Sequence, residues 1–173
     1  LDTYGGAVDA ADSIRSATLR CETPVLAYVN MQAASAGALI SIACDSIYMK
    51  TGSSIGAATV VDQSGNVMPD KYQSFMRGMM RSTAQATGRD PQIAESMVDT
   101  ANVLSLTPQE AVKVGYCEGI YESELEVVQA IAGDNEFVIK NMEEDLTWVD
   151  RLIDLLLNPF LQSIFMMMII GGI

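Results

Sequence analysis

The first half of the chain alternates helical patterns with short apolar runs, and this alternation restricts the fold more than any other feature. A helical pattern at residues 7–19 precedes the apolar run at residues 25–29. The small-residue segment 33–44 precedes a second apolar run at residues 47–49, and a further strand is expected over residues 57–61. Short apolar runs bounded by turn residues are typical of buried strands. The alternation therefore predicts an α/β fold with β-α repeats around a mostly parallel sheet.

The second half of the chain is predominantly helical in pattern. We expect helices at residues 71–87, 91–98 and 123–131. Thr107 and Glu110 have the spacing of a capping box, and Pro108 lies between them at the first helical position. This combination predicts the start of another helix, which Gly115 ends.

The last third of this half becomes steadily more apolar. Residues 145–157 carry one apolar stripe, typical of an amphipathic helix, and residues 160–173 contain only two polar side chains. A spanning helix needs roughly 20 apolar residues, so this run is either the first part of one or a buried helix. We expect residues 158–173 to be the start of a transmembrane helix that is truncated at residue 173. Residues 123–157 would then form a helical linker with the amphipathic helix at its end.

The flanking charge bears on the side of the membrane. Arg151 is the only basic residue in the stretch of about 15 positions before this apolar run. Cytoplasmic flanks of transmembrane helices are enriched in Lys and Arg. We therefore expect a protein of the cell membrane whose globular domain lies on the non-cytoplasmic side.

Composition excludes several kinds of chemistry. The chain has 10 basic and 22 acidic residues, so its net charge of −12 argues against binding to nucleic acid. It contains no histidine, which removes the commonest general base and the commonest neutral metal ligand. Cys21, Cys44 and Cys117 lack metal-binding spacing and are expected to be small apolar side chains. We expect no metal and no cofactor, and any general base must be Lys, Asp, Glu, Tyr or Cys.

Two turns have features that nucleophilic catalysis requires. Ser35 stands between an expected strand and an expected helix, and only Ala and Gly flank it. Free N–H groups at a helix start can hold an oxyanion, and small neighbours let a substrate approach. Gly5 and Gly6 form a second turn of this kind before the first helix. The alternative readings are an ordinary helix N-cap at Ser35 and an ordinary turn at the glycines.

Without histidine, Lys71 and Lys50 are the main candidates for a base. Lys71 lies at an expected helix start, where the helix dipole disfavours the ammonium form. The alternative is a solvated surface lysine. Ser53 or Ser54, in the loop between Gly52 and Gly56, can assist by holding the ammonium, although serine in such a loop is also ordinary turn chemistry.

Four motifs occur in order along the chain and together resemble one family. They are Leu-Asp-Thr-Tyr-Gly-Gly at residues 1–6, Ala-Ala-Ser-Ala-Gly-Ala at 33–38, Ser-Ile-Gly-Ala-Ala at 54–58 and Ser-Leu-Thr-Pro-Gln-Glu-Ala at 105–111. This set resembles the NfeD-type proteins, membrane-bound serine proteases of the ClpP class that are related to signal peptide peptidase A. The resemblance implies a ClpP/crotonase-like fold over residues 1–122, with further strands expected before Leu1.

The resemblance also assigns roles to residues. It implies that Ser35 is the nucleophile of a serine–lysine dyad, that Lys71 is the base, and that the N–H groups of Gly6 and Ala36 form the oxyanion hole. Tyr4 departs from the pattern, because many relatives carry Pro before the glycines. Tyr4 is therefore expected to reshape the oxyanion loop or to line a substrate subsite.

The function implied is a membrane-anchored serine endopeptidase that cleaves apolar segments of stomatin-like membrane proteins. Its expected partners are a peptide substrate, a stomatin-like protein, the membrane and further copies of itself. Two alternatives remain. One is a non-catalytic membrane scaffold that binds stomatin-like proteins, and the other is a crotonase-type acyl-CoA enzyme, which shares paired oxyanion N–H groups but usually needs acidic residues in its pocket.

Overall fold

The computed structural model describes residues 1–140 and, beyond them, residues 155, 163 and 167. The chain divides into two compact units, Leu1–Asp134 and Asn135–Ile173. In the second unit, residues 136–140 lie in no helix or strand, and the three later described residues are helical. All the elements discussed below belong to the first unit.

The first half of this unit contains helices and strands in turn, as the sequence predicts, with one further strand at Gln32–Ala34 that the sequence pattern did not predict. Its elements are helix α1 (Val8–Thr18), strands β1 (Leu26–Val29) and β2 (Gln32–Ala34), helix α2 (Ala36–Ala43), and strands β3 (Ser46–Met49) and β4 (Ser54–Gly56). Every residue of α2 except Ile40 is buried, which its small and apolar side chains permit. A helix that is apolar all round belongs in the interior of a domain, and α2 occupies that place.

The second half is mainly helical. Its elements are helices α3 (Asp70–Ala86) and α4 (Pro91–Ser96), strand β5 (Ser105–Leu106), helix α5 (Pro108–Lys113), strand β6 (Gly119–Ile120) and helix α6 (Glu124–Ala132). The expected capping box of α5 is confirmed, because the Thr107 hydroxyl accepts from the Glu110 N–H while the Glu110 carboxylate accepts from the Thr107 N–H. Both N–H groups at this helix start are thereby satisfied.

The strands form two small sheets. In one sheet, β3 lies between β1 and β6 and pairs with both in parallel. In the other, β2 pairs in parallel with β4, and β5 adds to β4 in antiparallel fashion. The expectation of a mostly parallel arrangement is therefore confirmed. An isolated parallel bridge from Thr3 to Ala33 adds the chain start to the second sheet.

The core packs α2 against the strands and the long helix α3. Its largest fully buried apolar side chains include Leu39 and Ile42 of α2, Ile47 and Met49 of β3, and Met80 of α3. Arg89 is buried beside them, and its guanidinium donates to the carbonyls of Ile42 and Cys44 at the end of α2. This guanidinium satisfies carbonyls that the end of a helix leaves without partners.

One strand lies at a different place from the one expected. The sequence pattern suggested a strand at residues 57–61, but the observed strand β4 is Ser54–Gly56. Ala57 takes a φ of 49°, a left-handed conformation that ends the strand. Val61 instead bridges Val67 in an antiparallel turn over residues 60–68.

The expected membrane segment belongs to the last part of the chain. The expected amphipathic helix at residues 145–157 and the membrane segment at 158–173 lie outside the described residues, apart from residues 155, 163 and 167. Among the described residues, no helix has the length and apolar character needed to cross a bilayer. The expected boundaries at residues 122 and 157 stay predictions.

Candidate active site

Ser35 occupies the turn between strand β2 and helix α2. Its backbone has φ 53° and ψ −112°, one of two non-glycine residues with positive φ in the described chain. The Ser35 N–H donates to the Gly56 carbonyl at 2.9 Å, and the Ser35 carbonyl accepts from the Leu39 N–H at 3.2 Å. Such a conformation costs about 1–3 kcal/mol and is found most often at functional sites.

The hydroxyl of Ser35 is not used as a helix cap. Ser35 stands at the N-cap position of α2, yet its side chain makes no capping hydrogen bond. The N-cap alternative therefore explains the position of Ser35 but not its residue type. Ser35 is half-buried and lines an open cavity of about 520 Å³, a space that a ligand can enter.

The turn of Gly5 and Gly6 lies directly against Ser35. A Cβ added to Gly5, whose φ is +137°, would stand 3.1 Å from the Ser35 Cβ and 3.5 Å from its Oγ. A Cβ added to Gly6 would stand 3.9 Å from the Cβ of Ala36. Glycine at these positions therefore allows an approach that a side chain would obstruct.

The N–H groups of Gly6 and Ala36 are the expected oxyanion donors. Gly6 belongs to the glycine turn, and Ala36 follows Ser35. Ala36 is the first residue of α2, where N–H groups have no partner within the helix. Within the described part of the chain, neither N–H donates to a protein acceptor. Both are therefore available to a ligand, and their oxyanion role stays a prediction.

Lys71 lies in the first turn of α3, where the sequence places it. Its side chain is exposed, and its Nζ stands 5.1 Å from the centre of the Tyr72 ring. It lines a second cavity of about 460 Å³, which shares Val8, Val60 and Met76 with the Ser35 cavity. No hydrogen bond joins Lys71 to Ser35 among the described residues, so the two proposed dyad members face neighbouring cavities rather than each other.

The other candidates for the proton-transfer machinery lie elsewhere. Lys50 contacts Asn30, with its Nζ 3.4 Å from the Asn30 Oδ1, and it does not line the Ser35 cavity. Ser53 and Ser54 lie at the end of β4 away from Gly56, and neither lines the cavity of Ser35 or of Lys71. The Ser53 hydroxyl is buried without a hydrogen-bond partner. The auxiliary role of these serines stays a prediction.

Several residues of the cavity wall were not singled out from sequence. They are Val8, Ala57, Thr59, Val60, Val61, Met76 and Val103, and exposed Tyr4 lies at the same cavity. The turn over residues 60–68 supplies part of this wall. Within that turn, hydrogen bonds from Asn66 hold the pKa of the Asp62 carboxyl below its usual range.

Gln73 attaches this wall to helix α3. Its side chain is only 1% exposed, and its amide pairs with both the N–H and the carbonyl of Val60, at 2.9 and 2.7 Å. The same amide donates to the Met68 carbonyl at 3.1 Å. The only sequence signal was a polar residue on the apolar face of α3, one helical turn before Met76.

The mixed-sheet α/β fold resembles that of the ClpP/crotonase class. ClpP1 from Listeria monocytogenes shares the fold with a TM-score of 0.54 over 72% of each chain, at 21% identity. Residues 1–141 match the model of the NfeD1b N-terminal domain. The chain therefore belongs to the NfeD1b N-terminal domain family, and its resemblance to NfeD-type proteins is confirmed.

Two curated relatives extend the comparison. The membrane protein NfeD1b of Bacillus subtilis is 38% identical over 130 residues, which is 69% of this chain and 30% of that protein. The membrane-bound protease PH1510 of Pyrococcus horikoshii is 37% identical over 126 residues, which is 68% of this chain and 28% of that protein. The chain thus spans less than a third of the length of these relatives.

Solved structures include a related protease. A lysine-to-alanine mutant of the 1510-N membrane-bound stomatin-specific protease, in complex with a substrate peptide, has a TM-score of 0.71 at 30% identity, covering 90% of this chain and 80% of that one. A serine-to-alanine mutant of the same protease has a TM-score of 0.69 at 31% identity, covering 83% and 76%.

Proposed function

We propose that this chain is the catalytic core of a membrane-anchored serine endopeptidase with Ser35 as nucleophile and Lys71 as general base. The observation that carries the proposal is the strained Ser35, held at the head of α2 against the turn of Gly5 and Gly6. Strain at a serine whose hydroxyl makes no cap bond has no evident structural purpose. The strain is explained if it presents Ser35 as a nucleophile beside free N–H groups.

The proposed reaction uses these groups in sequence. The Ser35 Oγ attacks the carbonyl carbon of the scissile peptide bond while its proton passes to the neutral amine of Lys71. The N–H groups of Gly6 and Ala36, with the positive end of the α2 dipole, stabilise the oxyanion. Lys71 then gives its proton to the leaving amine, and water hydrolyses the acyl-enzyme with Lys71 again as base.

The separation of Ser35 and Lys71 is compatible with this mechanism. Catalytic hydrogen bonds are often long or poorly aligned until substrate is present. The cavities of the two residues share three wall residues, and Lys71 sits on the first turn of α3, where its flexible stem is exposed. Two solved structures of a related protease carry a serine-to-alanine and a lysine-to-alanine substitution. These substitutions support the assignment of both roles.

An apolar substrate fits the character of the site. Val8, Val60, Phe75 and Met76 surround the cavity beside Lys71. Its lining also includes Tyr72, so aliphatic and aromatic surface predominates. Because the related protease is described as stomatin-specific, we take an apolar segment of a stomatin-like membrane protein as substrate and partner. The proposed place is the cell membrane, with the catalytic domain on the non-cytoplasmic side and with the protein as a homo-oligomer.

One observation favours a second candidate function. Lys71 is exposed and has no hydrogen bond to Ser35 among the described residues, as would be expected of a scaffold that binds stomatin-like proteins without cleaving them. The acyl-CoA alternative has less support, because the residues that line the Ser35 cavity in the described chain include no carboxylate.

Cleavage by the full-length protein in detergent tests the proposal. The substrate is a fluorophore–quencher peptide from an apolar segment of a stomatin-like protein. Ser35→Ala and Lys71→Ala should each abolish most cleavage, and the double variant should add little, because the two residues act as one unit. Lys71→Arg should be as damaging as Lys71→Ala, since a guanidinium stays charged. Lys50→Ala is the matched control and should cleave normally.

Two results would decide against the proposal. Full cleavage by a well-folded Ser35→Ala protein would eliminate the serine mechanism. Absence of cleavage in every form, with binding to the stomatin-like protein intact, would favour the scaffold. Protease protection in vesicles of known orientation determines separately which side of the membrane carries the domain.

A further inference from the structure

The hydroxyl of Thr3 closes the turn that faces Ser35. Its Oγ1 donates to the Gly5 carbonyl at 3.0 Å and accepts from the Gly5 N–H at 3.1 Å. One side chain therefore binds both polar groups of the same residue, two positions further along the chain. A hydroxyl that bonds locally to the backbone in this way replaces a hydrogen-bonded turn of the main chain.

The backbone of Thr3 is attached to the strand that ends at Ser35. The Thr3 N–H donates to the Gln32 carbonyl at 2.8 Å, and the Thr3 carbonyl accepts from the Ala34 N–H at 3.0 Å. These bonds place Thr3 opposite Ala33 in the second sheet, immediately before the nucleophile turn. Any shift of Thr3 relative to β2 therefore moves the turn of Gly5 and Gly6 relative to Ser35.

The methyl group of Thr3 makes a separate contact with helix α2. A Cβ on Gly37 would stand only 2.6 Å from the Thr3 Cγ2, so this methyl fills the space that Gly37 leaves open. The two branches of one side chain thus have different tasks. The methyl packs on the helix, and the hydroxyl fixes the turn.

We infer that Thr3 is a positioning residue that holds the Gly6 N–H in place for the oxyanion, an inference that rests on the proposed function. Gly5 has a φ of +137° and, like any glycine, has many conformations open to it. The bonds from the Thr3 hydroxyl restrict Gly5 to one of them. The Gly6 N–H then remains free and is oriented before substrate arrives, as electrostatic stabilisation of a transition state requires.

Substitutions at Thr3 remove the hydroxyl and the methyl group one at a time. Thr3→Val keeps the methyl and removes the hydroxyl, whereas Thr3→Ser keeps the hydroxyl and removes the methyl. The full-length protein in detergent is treated with a fluorophosphonate probe, in which the Ser35 Oγ bonds to phosphorus, fluoride leaves, and the hydroxyl proton passes to the base. Cleavage of the fluorophore–quencher peptide gives kcat and KM for the same variants.

The expected results differ for the two branches. Thr3→Val should lower the labelling rate and kcat by about tenfold or more at nearly unchanged KM, since complete loss of one oxyanion donor costs on the order of a hundredfold. Thr3→Ser should label and cleave close to wild type while its Tm falls, because it loses the packing on Gly37. If Thr3→Val does not fold, Thr3→Ala and Thr3→Ser form a second pair that differs by the hydroxyl alone.

The remaining outcomes would overturn either the positioning role of Thr3 or the proposed function as a whole. Equal rates for wild type and Thr3→Val, or for Thr3→Ala and Thr3→Ser, would overturn the positioning role alone. Equal impairment of Thr3→Val and Thr3→Ser would reduce Thr3 to a structural residue. Wild-type protein that does not label at Ser35 would overturn the proposed function and, with it, the role of Thr3.

Discussion

Gly5 and Ser35 are in contact across 30 residues of sequence, close enough that a Cβ on Gly5 would lie 3.1 Å from the Cβ of Ser35. The contact joins the turn before α1 to the turn before α2. The effect of this contact on the reactivity of Ser35 can be separated from the stability cost of placing a side chain at a left-handed position.

Gly5→Ala should disable Ser35 beyond its cost in stability. The new methyl group would push the turn away from the proposed nucleophile, and a displacement of about 1 Å can cost on the order of a hundredfold in rate. Fluorophosphonate labelling of the full-length protein measures this loss. Gly88→Ala is the control, because Gly88 has a φ of +75° and nothing within 4 Å of its added Cβ. It should lose stability but label normally, and equal labelling of the two variants would contradict the prediction.

The strand–helix alternation and the small residues around Ser35 were sufficient to predict the α/β fold and the position of the serine in a turn. Both depend on local pattern, because apolar runs and residue volumes are visible in the sequence. The proximity of Gly5 to Ser35 was not predictable in the same way. It depends on Thr3 pairing with Ala33, a contact between distant segments for which no local signal exists.

The strand expected at residues 57–61 shows a second limit of prediction from sequence. Residues 57–61 are small or β-branched and suited to a strand, but Ala57 has a φ of 49°, and the strand lies earlier, at Ser54–Gly56. Alanine gives no indication of a left-handed conformation, since the surrounding structure imposes it. The dyad expected from the sequence requires the Lys71 amine to approach Ser35, but no hydrogen bond joins them among the described residues. The direction of an exposed side chain is set by its surroundings, which the local sequence does not show.

Ser35→Gly should be more stable than Ser35→Ala by about 1 kcal/mol, because glycine adopts a φ of 53° without the strain that a Cβ causes. Equilibrium urea unfolding of the variants measures the difference. Ser41, buried within α2, gives the matched comparison. There Ser41→Gly should be less stable than Ser41→Ala by about 1 kcal/mol, since glycine is unfavourable within a helix. The same order at both positions would show that Ser35 is not strained.

Gln73→Met should destabilise the protein by about 2 kcal/mol, because it leaves the Val60 N–H and the Met68 carbonyl without their buried amide partner. The turn over residues 60–68 should also become more susceptible to limited proteolysis. Gln85→Met is the control on the same helix, since Gln85 is exposed. It should change the free energy of unfolding by no more than about 0.5 kcal/mol. Similar stability losses for the two variants would contradict the role given to Gln73.

The free energy of unfolding should fall as the pH rises from about 8.5, where thiols of unfolded chains ionise, towards pH 11. Burial raises the pKa of Cys44 to about 11, so in this range the folded protein keeps a proton that the unfolded chain loses. The contribution of Cys44 is therefore complete below the unfolded pKa and declines above it. Burial also raises the pKa values of Cys117 and Tyr116, which adds to the same slope.

Urea unfolding at a series of pH values isolates the share of Cys44. Cys44→Ala should lower stability at every pH, because it opens a space in the core, but its stability should decline less steeply above pH 8.5 than that of the wild type. Cys21→Ala is the matched control, since Cys21 is exposed. It should keep the wild-type slope. An unchanged slope in Cys44→Ala would mean that the Cys44 thiol ionises in the folded protein as readily as in the unfolded chain.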